Sequence, residues 1–233
     1  MSVDFAEFDA LVRSRKSLRA FKPDPVPHEV LTTLLATAAR SPSGTNMQPW
    51  QVYVVQGASR ERLVAETCAA HDLLRQQPEQ AQAFGQAGES ADRKVGSPFL
   101  DRRRQNGWAL YGLLGLTRDN KDGMHQQQQR NFRFFDAPVG LFFTTHTSMQ
   151  GAALVDFGMF MQTLMLAAKT QGLDTCAQGA WRNFSKLVMR HLQAGPEEVL
   201  VCGMSLGYAD DQALVNQLET PRESVANFTR WLA

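Results

Sequence analysis

The chain has 233 residues, 43% of them hydrophobic and 20% charged, with a formal net charge of +1. That length suits one domain, residues 1–233, with a sizeable core. The near-neutral balance excludes a surface built to track nucleic acid or an anionic membrane.

Residues 1–9 hold carboxylates and no cationic segment followed by an apolar one, so no secretory signal is expected and the cytoplasm is the expected compartment. Phe5, Phe8, Leu11 and Val12 then recur at helical spacing, giving a short amphipathic helix. It ends beside Arg15-Lys16-Ser17-Leu18-Arg19, three cations and a hydroxyl within five residues, flanked by Arg13 and Lys22. Such a cluster makes a good phosphate grip, although alone it equally describes a solvated basic face. Pro23, Pro25 and Pro27 interrupt regular structure, and Val30, Leu31, Leu34, Leu35 and Ala38 mark a second helix over 29–39.

Ser41-Pro42-Ser43-Gly44-Thr45-Asn46-Met47-Gln48-Pro49-Trp50 sets small residues, amides and backbone donors in a loop before a strand at 50–55. A loop of that composition can hold a flat polar heterocycle, and Gly44 permits close backbone approach. Its first half, taken alone, is also a plain Pro-Ser-Gly turn with an Asn cap. A helix is expected over 60–74, followed by about twenty Gln-, Ala- and Gly-rich residues that read as a mobile connection, a lid in an enzyme.

Residues 101–116 and 122–132 read as helices, the second solvated because of Gln126–Gln129. A strand at 139–145 leads to an apolar run at 151–168. Asp156 and Gln162 interrupt that run and Lys169 follows it, so a buried helix over 151–170 is expected, not a membrane span. It is apolar on nearly every side and must be covered on every side, which leaves room for a second subunit. A strand at 173–177, a helix at 184–191 and a strand at 199–204 complete a mixed α/β chain without internal repeats. Between them, Ala177-Gln178-Gly179-Ala180-Trp181 joins a strand to a helix, where backbone amides can face a ligand. Arg222, in Thr220-Pro221-Arg222-Glu223, can close the phosphate grip from the C-terminal side.

The segments 15–21 and 41–50, in this order and spacing, resemble the N-terminal signature of the FMN-dependent nitroreductase family. Residues 102–112 and 201–208 are similar to its nitroaromatic-reducing branch, so the resemblance covers most of the chain and is weakest over 76–100. It implies an α+β fold, a central mostly antiparallel sheet flanked by helices, in an intertwined homodimer with flavin at the interface. Arg15, Lys16, Ser17, Arg19 and Arg222 would hold the FMN phosphate. Pro42, Ser43, Gly44, Asn46 and Gln48 would meet the ring, the Ser-Gly part reaching across the dimer. The Gly179 amide would face flavin N5, with Gln178 beside the ring. Arg102, Arg103 and Arg104 are candidates for the cation near N1, a role left unassigned.

The implied activity is ping-pong reduction of nitroaromatics by NADPH or NADH, with quinones or enones as alternative acceptors and no catalytic side chain. A reductive dehalogenase or flavin-cleaving enzyme of the same fold is an alternative, as is a non-enzymatic flavin- or phosphate-binding module. Gly203-Met204-Ser205-Leu206-Gly207 fits the nucleophile elbow of serine hydrolases, but no His follows it, so the triad order fails. His28, His71, His125, His146 and His191 show no metal-ligand spacing, so no metal is expected. Cys68, Cys176 and Cys202 are too dispersed for a disulfide frame and read as packing residues. No G-x-G-x-x-G or Walker A pattern occurs, so a nicotinamide would stack transiently on FMN.

Overall fold

The computed structural model describes residues 4–85 and 95–232. Strands form where β-branched and aromatic residues concentrate: Gln51–Val55 (β1), Val139–His146 (β2), Asp174–Gln178 (β3) and Glu198–Gly207 (β4). They pair in the order β1-β2-β4-β3, each pair antiparallel. This is the α+β arrangement expected from the sequence.

Strand β2 is buried from Val139 through Thr145 because both faces of the sheet are covered. Its residues alternate between two cores, as the period of two requires. Val139, Leu141 and Phe143 pack with His28–Ala38 (α2) and Ala153–Thr170 (α7). Phe142 packs on the other side with Gly57–Gln76 (α3), Ser185–Leu192 (α8) and the aromatic segment at 130–136. Helix α7 buries Ala153, Phe157, Phe160, Leu164 and Ala168, a stripe at three- and four-residue spacing. Leu154 and Val155 stay exposed, so this chain covers one face of the helix. Phe5–Ser14 (α1) packs against α7 with no buried residue of its own.

Two connections differ from expectation. Part of the predicted mobile connection is folded: Pro78–Gln80 is a 3-10 turn and Ala81–Phe84 a short helix (α4). The Phe84 ring lies 6.3 Å from that of Phe184, and Lys186 Nζ donates to the Gln82 carbonyl at 2.7 Å. The lid reading of residues 86–94 lies outside the described residues. After Phe99–Leu113 (α5), the polar helix Lys121–Gln129 (α6) stops short of Phe132. Phe134, Phe135 and Asp136 adopt left-handed backbones with φ of 53°, 53° and 71°. The turn drives the Phe134 ring onto Gly140, where a Cβ would lie 2.3 Å from the ring.

Ser205, the serine of the elbow-like pattern, is fully buried within β4. It donates to Gln178 Oε1 at 2.7 Å, which rules it out as a nucleophile. Among the described residues no helix is long and apolar enough to cross a membrane.

Candidate functional site

The basic segment leaves α1 extended and runs along the edge of the sheet. Ser17 bridges to Thr175 in parallel, and the Leu18 amide donates to the Thr175 carbonyl at 3.2 Å. Leu18 and Ala20 are buried, whereas Ser17 is exposed and Arg15, Lys16 and Arg19 are half-exposed. Extended backbone thus sinks the apolar residues and leaves cations on the outside. Burial pushes the Cys176 thiol on β3 up to about 11, and the Arg19 and Arg15 guanidinium groups pull it the other way. Both cations therefore act on the β3 edge.

Asn216 fastens the C-terminal segment to this edge. Its Oδ1 accepts from the Arg19 amide at 2.7 Å, and its Nδ2 donates to the Ala20 carbonyl at 2.8 Å. Farther on, Glu219 lies 3.5 Å from Lys16 Nζ, and Glu223 pairs with Arg102 of α5 at 2.9 Å. Arg222 sits between these contacts, with Nη1 donating to Thr220 Oγ1 at 2.7 Å. Arg102, Gln105, Asn106 and residues 219–223 line a cavity of about 500 Å³. Arg102 also stands 5.8 Å from the Phe99 ring centroid.

At the far end of β3, Gln178 and Gly179 play different parts. The Gln178 side chain does not line a surface: it is 2% exposed. Its Nε2 donates to the Asn131 carbonyl at 2.7 Å, and its Oε1 accepts from Ser205 and from Trp181 Nε1. The polar atoms of this side chain are thus engaged within the fold, which fixes its position at the end of β3. Gly179 begins the following 3-10 turn and is exposed. A Cβ there would meet nothing within 4 Å, so a flat group can approach its backbone.

The loop at 41–50 is seated elsewhere, on α7. Thr45, Asn46 and Gln48 hold left-handed backbones with φ of 47°, 58° and 48°. Such conformations cost on the order of 1–3 kcal/mol each and persist where surrounding contacts over-determine them. Here the Gln48 amide donates to Ser43 Oγ at 2.9 Å, and the Gly44 amide donates to Asp156 Oδ1 at 3.2 Å. Ser41 Oγ bonds to Thr163 Oγ1 at 2.9 Å. Pro42, Gly44, Asn46 and Gln48 are exposed and Ser43 half-buried, so the loop presents its polar groups outward.

The fold therefore sets Arg15, Lys16, Ser17 and Arg19 along the edge of β3, which ends at Gly179, leaves Arg222 in the C-terminal segment that Glu219 ties to Lys16, and holds the loop on a separate support. Sequence reasoning missed Asp156, Asn216 and Glu219 as the groups that position these elements. Asp156 had a visible signal, since a carboxylate in an apolar helix needs a polar partner. Asn216 and Glu219 had none.

Residues 12–208 match the nitroreductase family. The chain is 36% identical over 226 residues to a 4-nitrobenzoate reductase of Pseudomonas putida, covering 97% of this chain and 96% of that one. It is 37% identical to a chloronitrobenzene nitroreductase of Comamonas testosteroni, covering 96% of each. It superposes on the crystal structure of the FMN-dependent nitroreductase NfnB from Mycobacterium smegmatis in complex with NADPH with a TM-score of 0.90. Identity there is 31%, and 99% of this chain and 100% of that one are covered.

Proposed function

The chain belongs to the nitroreductase family, and from that premise we propose that it is an FMN-dependent NAD(P)H oxidoreductase reducing nitroaromatic compounds. The observation that carries the reading is the edge of β3. Ser17 pairs with Thr175, four positions before the open Gly179, so roughly 13 Å of extended chain separates the basic segment from an exposed backbone position. The residues present fit FMN: cations and a hydroxyl for the phosphate, open backbone for a ring, and the outward amides of the loop for polar ring atoms.

When bound, FMN supplies the hydride relay from NAD(P)H to the nitro group, with donor and acceptor using one pocket in turn. The protein's share is binding, orientation and charge. Arg15, Lys16, Ser17, Arg19 and Arg222 would offset the phosphate by charge-assisted hydrogen bonds. Pro42, Ser43, Gly44, Asn46 and Gln48 would orient the ring, and the Gly179 amide would donate toward N5. Arg102 is already paired with Glu223 and would set the potential at the cavity mouth.

The same reading includes a homodimer. Phe5, Phe8, Leu154 and Val155 are large exposed apolar side chains on the packed helices α1 and α7, and Phe228 and Trp231 are exposed farther along the chain; apolar surface of this kind is commonly an interaction site. A second copy would cover it, with loop 42–48 of one chain serving the β3 edge of the other. The dispersed free cysteines support a reducing, cytoplasmic setting.

Anaerobic addition of NADPH to the FMN-loaded protein should bleach the flavin spectrum, and 4-nitrobenzoate should restore it. Bleaching without recovery would move the acceptor to a quinone, an enone or a halogenated ring. No bleaching by NADPH or NADH would reject the oxidoreductase reading in favour of a binding module. Light scattering of the eluted protein should give twice the mass of the chain.

A further inference from the structure

A second cluster of reactive side chains lies on the α3/α6 side of the molecule, among groups the flavin reading does not use. His71 and Asp72 are adjacent on α3, and His125 comes from α6, 53 residues beyond Asp72. One ring nitrogen of each histidine and one Asp72 oxygen lie within 4.8 Å of one another. The two imidazoles stack at 4.2 Å between centroids. His125 Nε2 is 2.6 Å from Asp72 Oδ1, while His71 Nδ1 is sealed from water without a hydrogen-bond partner. A buried polar atom left without a partner costs about 1–3 kcal/mol, so its persistence calls for an explanation.

We propose that His71, Asp72 and His125 form a binding site for one zinc ion. Two imidazoles and one carboxylate are a donor set that suits zinc, with a fourth position left for water. A tetrahedral zinc keeps its donors roughly 3.3–3.5 Å apart and close to the plane of each ligating ring, so the cluster closes when one imidazole rotates out of the stack and the donor atoms draw together by about 1 Å. The ion takes the place of the hydrogen between His125 and Asp72, and that proton moves by exchange with solvent to Nδ1 of the same ring, so a neutral imidazole binds through Nε2.

The surrounding shell is built to hold the carboxylate. Gln129 Nε2 donates to Asp72 Oδ1 at 2.8 Å, and Gln129 Oε1 accepts from Arg133 at 2.9 Å. Such outer partners fix the orientation of ligating groups. The Phe132 ring stands 5.2 Å from His71 and backs it. The open side faces a cavity of about 920 Å³ lined in part by Arg75, Arg130 and Arg133. Arg75 is paired with Asp122 and Arg130 with Asp136. The remaining positive field opposes a dication and favours hydroxide over water at the fourth position. It sets the expected affinity near micromolar, below that of a closed structural site.

The test is calorimetric titration of zinc chloride into FMN-loaded protein stripped of metal, with Asp72→Asn and His125→Ala alongside. One zinc per chain at a micromolar dissociation constant is expected, with a rise of a few degrees in Tm. Each variant should lose more than the roughly 10–100-fold that an outer-shell partner is worth, while keeping its flavin. Asp72→Asn preserves shape at a largely exposed side chain, so it remains decisive if His125→Ala misfolds. Equal zinc binding by wild type and Asp72→Asn, or much less than one ion per chain, would overturn the assignment. Because flavin retention is read separately, failure here is distinguishable from failure of the oxidoreductase reading.

Discussion

Gln178 and Gly44 belong to the same proposed site, yet the chain treats them in opposite ways. Gln178 has its side chain bonded to Asn131, Ser205 and Trp181 inside the core. The Gly44 loop is exposed, with left-handed residues, and the Gly44 amide rests on the Asp156 carboxylate. The β3 end is finished within one chain, so it is set by packing. The loop and the C-terminal segment are finished only by what they meet. Substitutions at the first should read out in stability, and at the second in flavin retention.

The strongest test of the sealed side is Trp181→Ala. Trp181 is fully buried against Phe132, Phe134 and Phe142, and Gly203 leaves room for its ring. Removing so large a side chain costs about 3–5 kcal/mol, to be read from urea unfolding of the flavin-free protein. A loss under 1 kcal/mol would mean that this end of the sheet is not the rigid floor described. Gln178→Leu should cost less, about 1–3 kcal/mol, because it strands the Ser205 hydroxyl and the Asn131 carbonyl in the core. The same measurement checks it. Gln178→Glu distinguishes loss of hydrogen bonds from loss of volume, since it keeps the acceptor and removes the donor to Asn131.

The difference between the two sides also explains what could be read from sequence. Periodic burial was legible: the 151–170 stripe, the run at 139–145 and the helix at 29–39 each appear within a few residues of their predicted limits. Helix α3 begins at Gly57, earlier than expected, because glycine at its first position carries no apolar signal. The left-handed stretch at Phe134 to Asp136 was not legible, since aromatic residues disfavour positive φ and only the pocket over Gly140 makes room for it. At the site, residue types along the basic segment and the loop were legible from local chemistry. The supports were not, because Asp156, Asn216 and Glu219 act on partners more than a hundred residues away. The pairing of Asp72 with His125, 53 residues apart, was hidden too, as no local spacing announces it.

On the open side, Asp156→Ala removes the acceptor of the Gly44 amide. Water can replace that acceptor at an exposed loop, so about 0.5–1.5 kcal/mol of stability should be lost. Flavin should be lost more readily, because the loop loses the contact that fixes its backbone. Asp156→Asn keeps an acceptor and should restore most of the retention, measured by absorbance after gel filtration. If Asp156→Ala keeps its flavin fully, the strained loop is stable without α7, and its part in binding must be assigned elsewhere.

Arg222→Ala should have the smallest effect on the fold and the clearest effect on function. The side chain is exposed, and its hydrogen bonds run to its own neighbours Thr220 and Pro221. A surface change of this kind stays within about 0.5 kcal/mol. Yet one charge-assisted contact to a phosphate is worth roughly 1.5–3 kcal/mol, so FMN affinity should fall by about tenfold to a hundredfold. Fluorescence of free flavin after equilibrium dialysis measures that loss directly, and Arg19→Ala at the opposite side of the grip should behave alike. A variant that kept wild-type affinity at both positions would separate the cationic edge from the cofactor. A variant that lost stability along with flavin would mean that the C-terminal segment is already a finished part of the fold.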